Sequence, residues 1–97
     1  MHGLSNIEFV VLQLLVEEPG SYGLQLVERS DGLVKRGTVY VTLDRMEQKG
    51  LITSKKEARP THSGLPRRMY SPTGYGAKLL ALQEEAYLLR GRRSVPT

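Results

Sequence analysis

The run Gly37-Thr38-Val39-Tyr40-Val41-Thr42-Leu43-Asp44-Arg45-Met46-Glu47-Gln48-Lys49-Gly50-Leu51-Ile52 decides how the chain is read. Val39, Leu43 and Met46 recur at helical spacing and are expected in the core, so a helix is predicted from about Arg36 to Lys49. Gly50 suits the left-handed position that closes a helix, and Leu51 then opens a strand-like run to Glu57. The other side of this helix carries Thr38, Val41, Thr42, Arg45, Gln48 and Lys49. Threonine and valine are small enough to let a helix sit deep in a DNA major groove, while Arg45 and Lys49 reach far enough for guanine edges or phosphates. Tyr40 lies on the flank, its hydroxyl suited to a phosphate. An ordinary solvated helix face is the competing explanation.

Upstream, Ser5-Asn6-Ile7-Glu8 has the capping-box form and starts a helix reaching about Glu17. Its apolar residues fall on two stripes, with Ile7, Val10, Val11, Leu14 and Leu15 on one side and Phe9, Leu12 and Val16 on the other. A helix apolar nearly all round must be covered on both sides, which a thin domain hardly does alone, and this points to a dimer. Pro19-Gly20 breaks the helix, Ser21 can cap a second one reaching about Ser30, and Asp31-Gly32 turns the chain. Leu24, Leu26 and Val27 are available for burial, and Leu33-Val34 reads as one short extended rung. Three short helices on tight turns form a helix-turn-helix.

Downstream, Leu51 to Glu57 and Arg67 to Ser71 are strand-like and are separated by a loop holding Pro60, Gly64 and Pro66. That is a hairpin too long for a tight turn, and in this position it is a wing. Lys55, Lys56, Arg59, His62, Arg67 and Arg68 make it cationic, with Glu57 opposing. Arginine on such a loop can enter a minor groove or grip the backbone beside it, whereas Lys55 and Lys56 equally suit protection of a sheet edge. Alternation is expected to put one of Arg67 and Arg68 on the DNA side. Thr73 can cap a final helix to about Arg90, along which Leu79, Leu82, Ala86 and Leu89 are spaced as a packing seam.

Composition bounds the function. The 97 residues suit one modest core, at a net charge of +4. Residues 35–68 hold nine basic and three acidic side chains, against one and five in residues 1–34. Such an excess attracts phosphates and makes binding fall with salt. There is no cysteine, and His2 and His62 are the only histidines. No metal set, catalytic triad or nucleotide-binding glycine motif is evident, so neither a cofactor nor an enzyme is expected. The longest apolar stretch, within Ile7 to Val16, is far short of a membrane span, and no basic leader precedes it, so a cytoplasmic address is expected.

The Gly-Thr-x-Tyr start of the 37–52 segment, its Leu-x-x-hydrophobic-Glu spacing and its Lys-Gly-Leu-Ile ending resemble the recognition helix and first wing strand of PadR-family transcriptional regulators. Tyr70-Ser71-Pro72-Thr73-Gly74-Tyr75-Gly76 is similar to the family's Tyr-x-x-Thr-x-x-Gly, and Glu18-Pro19-Gly20-Ser21-Tyr22-Gly23 to its first turn. The resemblance spans about residues 4–90. It implies a mainly α fold with a small β-hairpin. Residues 1–72 form a winged helix-turn-helix, 73–90 a C-terminal dimerisation helix and 91–97 a flexible tail. It further implies a homodimer that places two recognition helices in successive major grooves of double-stranded DNA.

The DNA-binding residues expected on this reading are Tyr22, Lys35, Arg36, Thr38, Tyr40, Val41, Thr42, Arg45, Lys49, Arg59, His62, Arg67 and Arg68. Those expected at the dimer interface are Phe9, Leu12, Leu79, Leu82, Ala86 and Leu89, for which an intramolecular core is the alternative. The expected function is a repressor on a near-palindromic operator. A winged helix used for protein contact, as an antirepressor or adaptor, is the other class. The groove between paired C-terminal helices offers a place for a small apolar or aromatic effector. The chain has no tryptophan, so the stacking of flat drugs found in some relatives is not expected here.

Overall fold

The capping box at Ser5 forms. The Glu8 amide donates to Ser5 Oγ at 3.2 Å and the Ser5 amide to Glu8 Oε1 at 3.0 Å, starting α1 (Asn6–Glu17). The computed structural model describes residues 3–58 and 67–93. After α1 come β1 (Ser21–Tyr22), α2 (Gly23–Arg29), α3 (Val39–Gln48), β2 (Ile52–Lys56), β3 (Arg68–Pro72) and α4 (Gly74–Arg93). The strands form one antiparallel sheet in the order β1-β3-β2, with Ser54 opposite Tyr70 and Ser21 on Tyr70's other side.

Val11, Leu12 and Leu15 of α1 meet Leu26 of α2, Val39, Leu43 and Met46 of α3, Ile52 and Tyr70 of the sheet, and Leu80 of α4. Each fully buried aliphatic side chain contributes about 1.5–3 kcal/mol, and the nine largest are shared among α1, α2, α3, the sheet and the loop at Val34. Arg29 fastens the end of α1 by donating to the Leu14 carbonyl at 3.2 Å and to Ser21 Oγ at 3.3 Å. A cation there also suits the negative end of the α1 dipole.

The end of α3 sets where the wing begins. Gly50 takes a left-handed φ of 77°, its amide donates to the Glu47 carbonyl at 3.0 Å, and the Leu51 amide donates to the Met46 carbonyl at 3.0 Å. This pair of bonds closes the helix and turns the chain into β2. Thr73 ties the same corner to α4. Its amide donates to the Leu51 carbonyl at 3.1 Å, its hydroxyl donates to the Gly50 carbonyl at 2.6 Å, and its Oγ1 accepts the Gly76 amide at 3.0 Å. Gly76 lies so close that a Cβ there would fall 2.9 Å from the Leu51 carbonyl carbon and nearer still to its oxygen.

Several expectations need correction. Ser21 does not cap α2. Its hydroxyl donates to the Glu18 carbonyl at 2.7 Å and its backbone pairs with Tyr70, so the helix starts at Gly23. The third strand is therefore Ser21–Tyr22, and Leu33-Val34 is no rung. There the Val34 amide donates to Ser30 Oγ at 2.9 Å, burying Val34 and leaving Leu33 exposed. Helix α3 starts at Val39, later than Arg36, because residues 36–38 form a turn in which the Thr38 amide bonds the Lys35 carbonyl. Leu24 is exposed while Leu26 is fully buried. Helix α4 runs on to Arg93, past Arg90.

Leu12 is fully buried within the chain, which is the intramolecular-core alternative for that residue. Phe9 is half-buried, with its ring edge-on to Tyr87 at 5.3 Å between centroids. Leu79 is half-buried, whereas Leu82, Ala86 and Leu89 are exposed.

Candidate nucleic-acid interface

Helix α3 is packed on one side only. With Val39, Leu43 and Met46 in the core, the 3.6-residue period turns Thr38, Val41 and Arg45 outward, all exposed, and leaves Thr42 half-buried between them. Val41 is 59% exposed, a solvent-facing valine that the helix gains nothing from on its own. Lys35 and Arg36 are exposed on the turn leading into α3. Tyr40 lies at the flank and is 52% exposed, with its ring against Gly23 at the start of α2. On the same helix, Asp44 accepts from Gln48 Nε2 at 2.8 Å.

Lys49 behaves differently. Its ammonium sits 2.6 Å from Glu8 Oε2, and the Glu8 side chain is only 7% exposed. Burial acts to raise the Glu8 carboxyl. The Lys49 hydrogen bond, the Ser5 amide and the Lys49 charge outweigh it and leave the pKa below its ordinary value. The residue expected to reach DNA is thus bound to the first helix.

The wing is anchored through Glu57, whose side chain is 8% exposed. Its Oε2 accepts from the Tyr22 hydroxyl at 2.9 Å, and its Oε1 accepts the Arg67 amide at 3.2 Å and Arg67 Nε at 3.5 Å. The Arg67 amide is the largest cause holding the Glu57 carboxyl below its ordinary pKa, followed by the Tyr22 hydroxyl, while that hydroxyl is pushed up in return. The Arg67 guanidinium lies over the Tyr22 ring, 3.9 Å from its centroid. Tyr22 therefore joins the first turn to the root of the hairpin.

Arg68 takes another direction. Its Nη1 donates to Ser54 Oγ at 3.1 Å, and that hydroxyl donates to the Glu47 carboxylate at 3.0 Å, linking the wing to α3. Alternation was expected to leave one of the two arginines on the DNA side, yet both line the cleft between α2 and β3. Arg67 precedes the first paired residue of β3 and is drawn in by Tyr22 and Glu57. Arg59 and His62 lie outside the described residues. Sequence reasoning found Glu8 as half of the capping box but not its pairing with Lys49, and it did not find the roles of Glu57 and Ser54. The available signal was that Glu57 and Arg67 flank the hairpin loop symmetrically.

Among the described residues, no group of three or more His, Asp or Glu could hold a metal ion, and no helix is long and apolar enough to cross a membrane.

A family model described as the transcriptional regulator PadR-like family matches residues 11–82. No curated protein sequence matches the chain significantly. Among solved structures, a PadR family transcription regulator from Clostridium difficile superposes with a TM-score of 0.77 at 25% identity, over 91% of this chain and 93% of that one. A PadR family transcriptional regulator from Eggerthella lenta gives a TM-score of 0.72 at 27% identity, over 89% of this chain and 75% of that one. The fold is also that of the transcriptional repressor CouR bound to a 23-mer DNA duplex, with a TM-score of 0.70 at 23% identity, over 84% of this chain and 54% of that one.

Proposed function

Because the chain belongs to the PadR-like family of transcriptional regulators, a family of regulators and not of enzymes, we propose that it is a repressor that binds a near-palindromic DNA operator as a homodimer. The observation that carries this reading is the outward face of α3, where Thr38, Val41 and Arg45 stand exposed beside the cationic wing strands. Arg45 would read a base edge, while Arg68, Tyr40 and the cations before α3 would hold phosphates. Arg59 and His62 would extend the wing contacts. The fold of a repressor solved on DNA supports the same use of the surface.

Residues 1–72 would form the reading unit and α4 the pairing element. Leu82, Leu88 and Leu89 are exposed along α4, and Val16 is exposed on α1. Packing these apolar surfaces across a twofold axis with Phe9, Leu79 and Ala86 would remove them from water and set the two recognition helices about one duplex turn apart. A small apolar or aromatic effector between the paired α4 helices would act by favouring one half-site spacing over another.

Selection of bound duplexes from a random pool, followed by gel shifts at two salt concentrations, tests this proposal. Arg45→Ala is expected to weaken operator binding by roughly 1–3 kcal/mol and to relax preference at one base position in each half-site. Equal affinity for every duplex, or a monomer by sedimentation, would refute it.

A further inference from the structure

Among the described residues, Tyr70 is the one core residue with a polar end that the fold leaves unused. The residue is only 6% exposed, yet among the described residues its hydroxyl has no hydrogen-bond partner. No fully buried side-chain oxygen or nitrogen there is left unpaired, so the Tyr70 hydroxyl must retain a little accessible surface. Tyr70 lines a cleft of about 690 Å³ between α2 and β3, together with Tyr22, Tyr40, Arg67, Arg68 and Glu28.

A deeply placed donor without a partner is costly unless something binds to it, because a hydroxyl withdrawn from bulk water loses part of its hydration without replacement. Arg68 spends one N–H on Ser54 Oγ. Its remaining N–H groups have no partner among the described residues. Tyr40, 52% exposed and lining the same cleft, offers a third donor. Burial pushes the Tyr70 hydroxyl's pKa up, so it stays a donor throughout the physiological range. Two hydroxyls and a guanidinium around one cleft suit a tetrahedral oxyanion, and Tyr40 puts the cleft beside the surface of α3.

We propose that this cleft seats one phosphate of the DNA backbone, with Tyr70 Oη as its floor and Tyr40 and Arg68 as its sides. The proposal rests on the DNA-binding reading above and adds to it a contact from inside the core. A phosphate held from below would fix the depth of α3 in the groove, in a way that exposed cations on long stems do not.

Tyr70→Phe tests it. The variant should melt where the wild type does, because the hydroxyl has no internal partner to lose, and it should bind selected and unrelated duplexes alike about five- to tenfold more weakly. Its salt dependence should be unchanged, since a neutral donor displaces no counterion, whereas Arg68→Gln should lower the slope by about one. A scan of single methylphosphonate substitutions should find one position in each half-site whose several-fold loss in the wild type is clearly smaller in Tyr70→Phe, which keeps only the Tyr40 and Arg68 contacts there. Affinity of Tyr70→Phe within twofold of wild type would overturn the seat while leaving DNA binding intact. So would equal methylphosphonate losses at every position, or a melting temperature lowered by several degrees. A wild-type protein that retained no duplex would remove both readings.

Discussion

Replacing Gly76 by alanine should damage the molecule far more than the gain of one methyl group suggests. The first turn of α4 lies on the backbone of Leu51, and the added methyl would meet the Leu51 carbonyl well inside van der Waals contact. The carbonyl cannot yield freely, because it already accepts the Thr73 amide and follows directly on the helix-closing turn at Gly50. Overpacking in a well-ordered site costs about 1–3 kcal/mol or somewhat more, and a backbone obstacle belongs at the upper end. Alanine recovers up to ~1 kcal/mol of that through its better helix propensity. The net expectation is a loss of about 2 kcal/mol, or roughly 8–16 °C in melting temperature for a domain of this size. Gly74→Ala is the matched control, because it adds the same methyl in the same helical turn with nothing within 4 Å. Thermal denaturation of both variants should be followed by circular dichroism at equal protein concentration, since association shifts the midpoint. If the two melt together, the argument from close approach is wrong.

Other expectations follow from the ion pair and the wing root. Lys49→Ala should cost about 1–2 kcal/mol by urea denaturation, because it leaves the Glu8 carboxylate buried with the Ser5 amide as its remaining donor. Glu8 has a lowered pKa when folded, so its contribution is present above the ordinary value of 4.5 and is lost as pH falls through the depressed one. The stability gap between wild type and Glu8→Gln should therefore close on acidification below that value. Glu57→Ala should free the hairpin root and speed hydrogen exchange of the β2 and β3 amides several-fold while leaving α1 amides protected. Leu88→Glu places a charge on a residue 68% exposed in the single subunit, so the subunit fold should be unaffected while sedimentation shifts toward monomer.

Long patterned segments were readable in the sequence, whereas short pairings between distant residues were not. Val39, Leu43 and Met46 announced the buried face of α3, and Ser5 with Glu8 announced the start of α1, because periodicity and capping are local. The strand Ser21–Tyr22 is too short to show alternation. It exists only because Tyr70 and Met69 offer their backbone, so a serine after Pro19-Gly20 read as a helix cap. The two apolar stripes of α1 correctly indicated a helix apolar nearly all round. Leu12 is nonetheless fully buried within the chain, since period alone does not say which residues of each stripe the core covers. At the interface, the outward residues of α3 followed from those buried behind them. The partners of Lys49 and Tyr22 lie 41 and 35 residues away, where no rule of spacing links them, and the pairing of Arg67 with Glu57, 10 residues away, was signalled only by their flanking the same loop.

The pairing of Lys49 with Glu8 changes how the molecule's ionic ledger should be read. A polyanion approaching α3 meets a lysine that is already compensated from behind, so this side chain would displace few condensed sodium or potassium ions. The exponent relating affinity to ionic strength should then fall short of the number of positive side chains in the segment. Removing Lys49 should weaken the helix's seating on α1 without flattening that exponent.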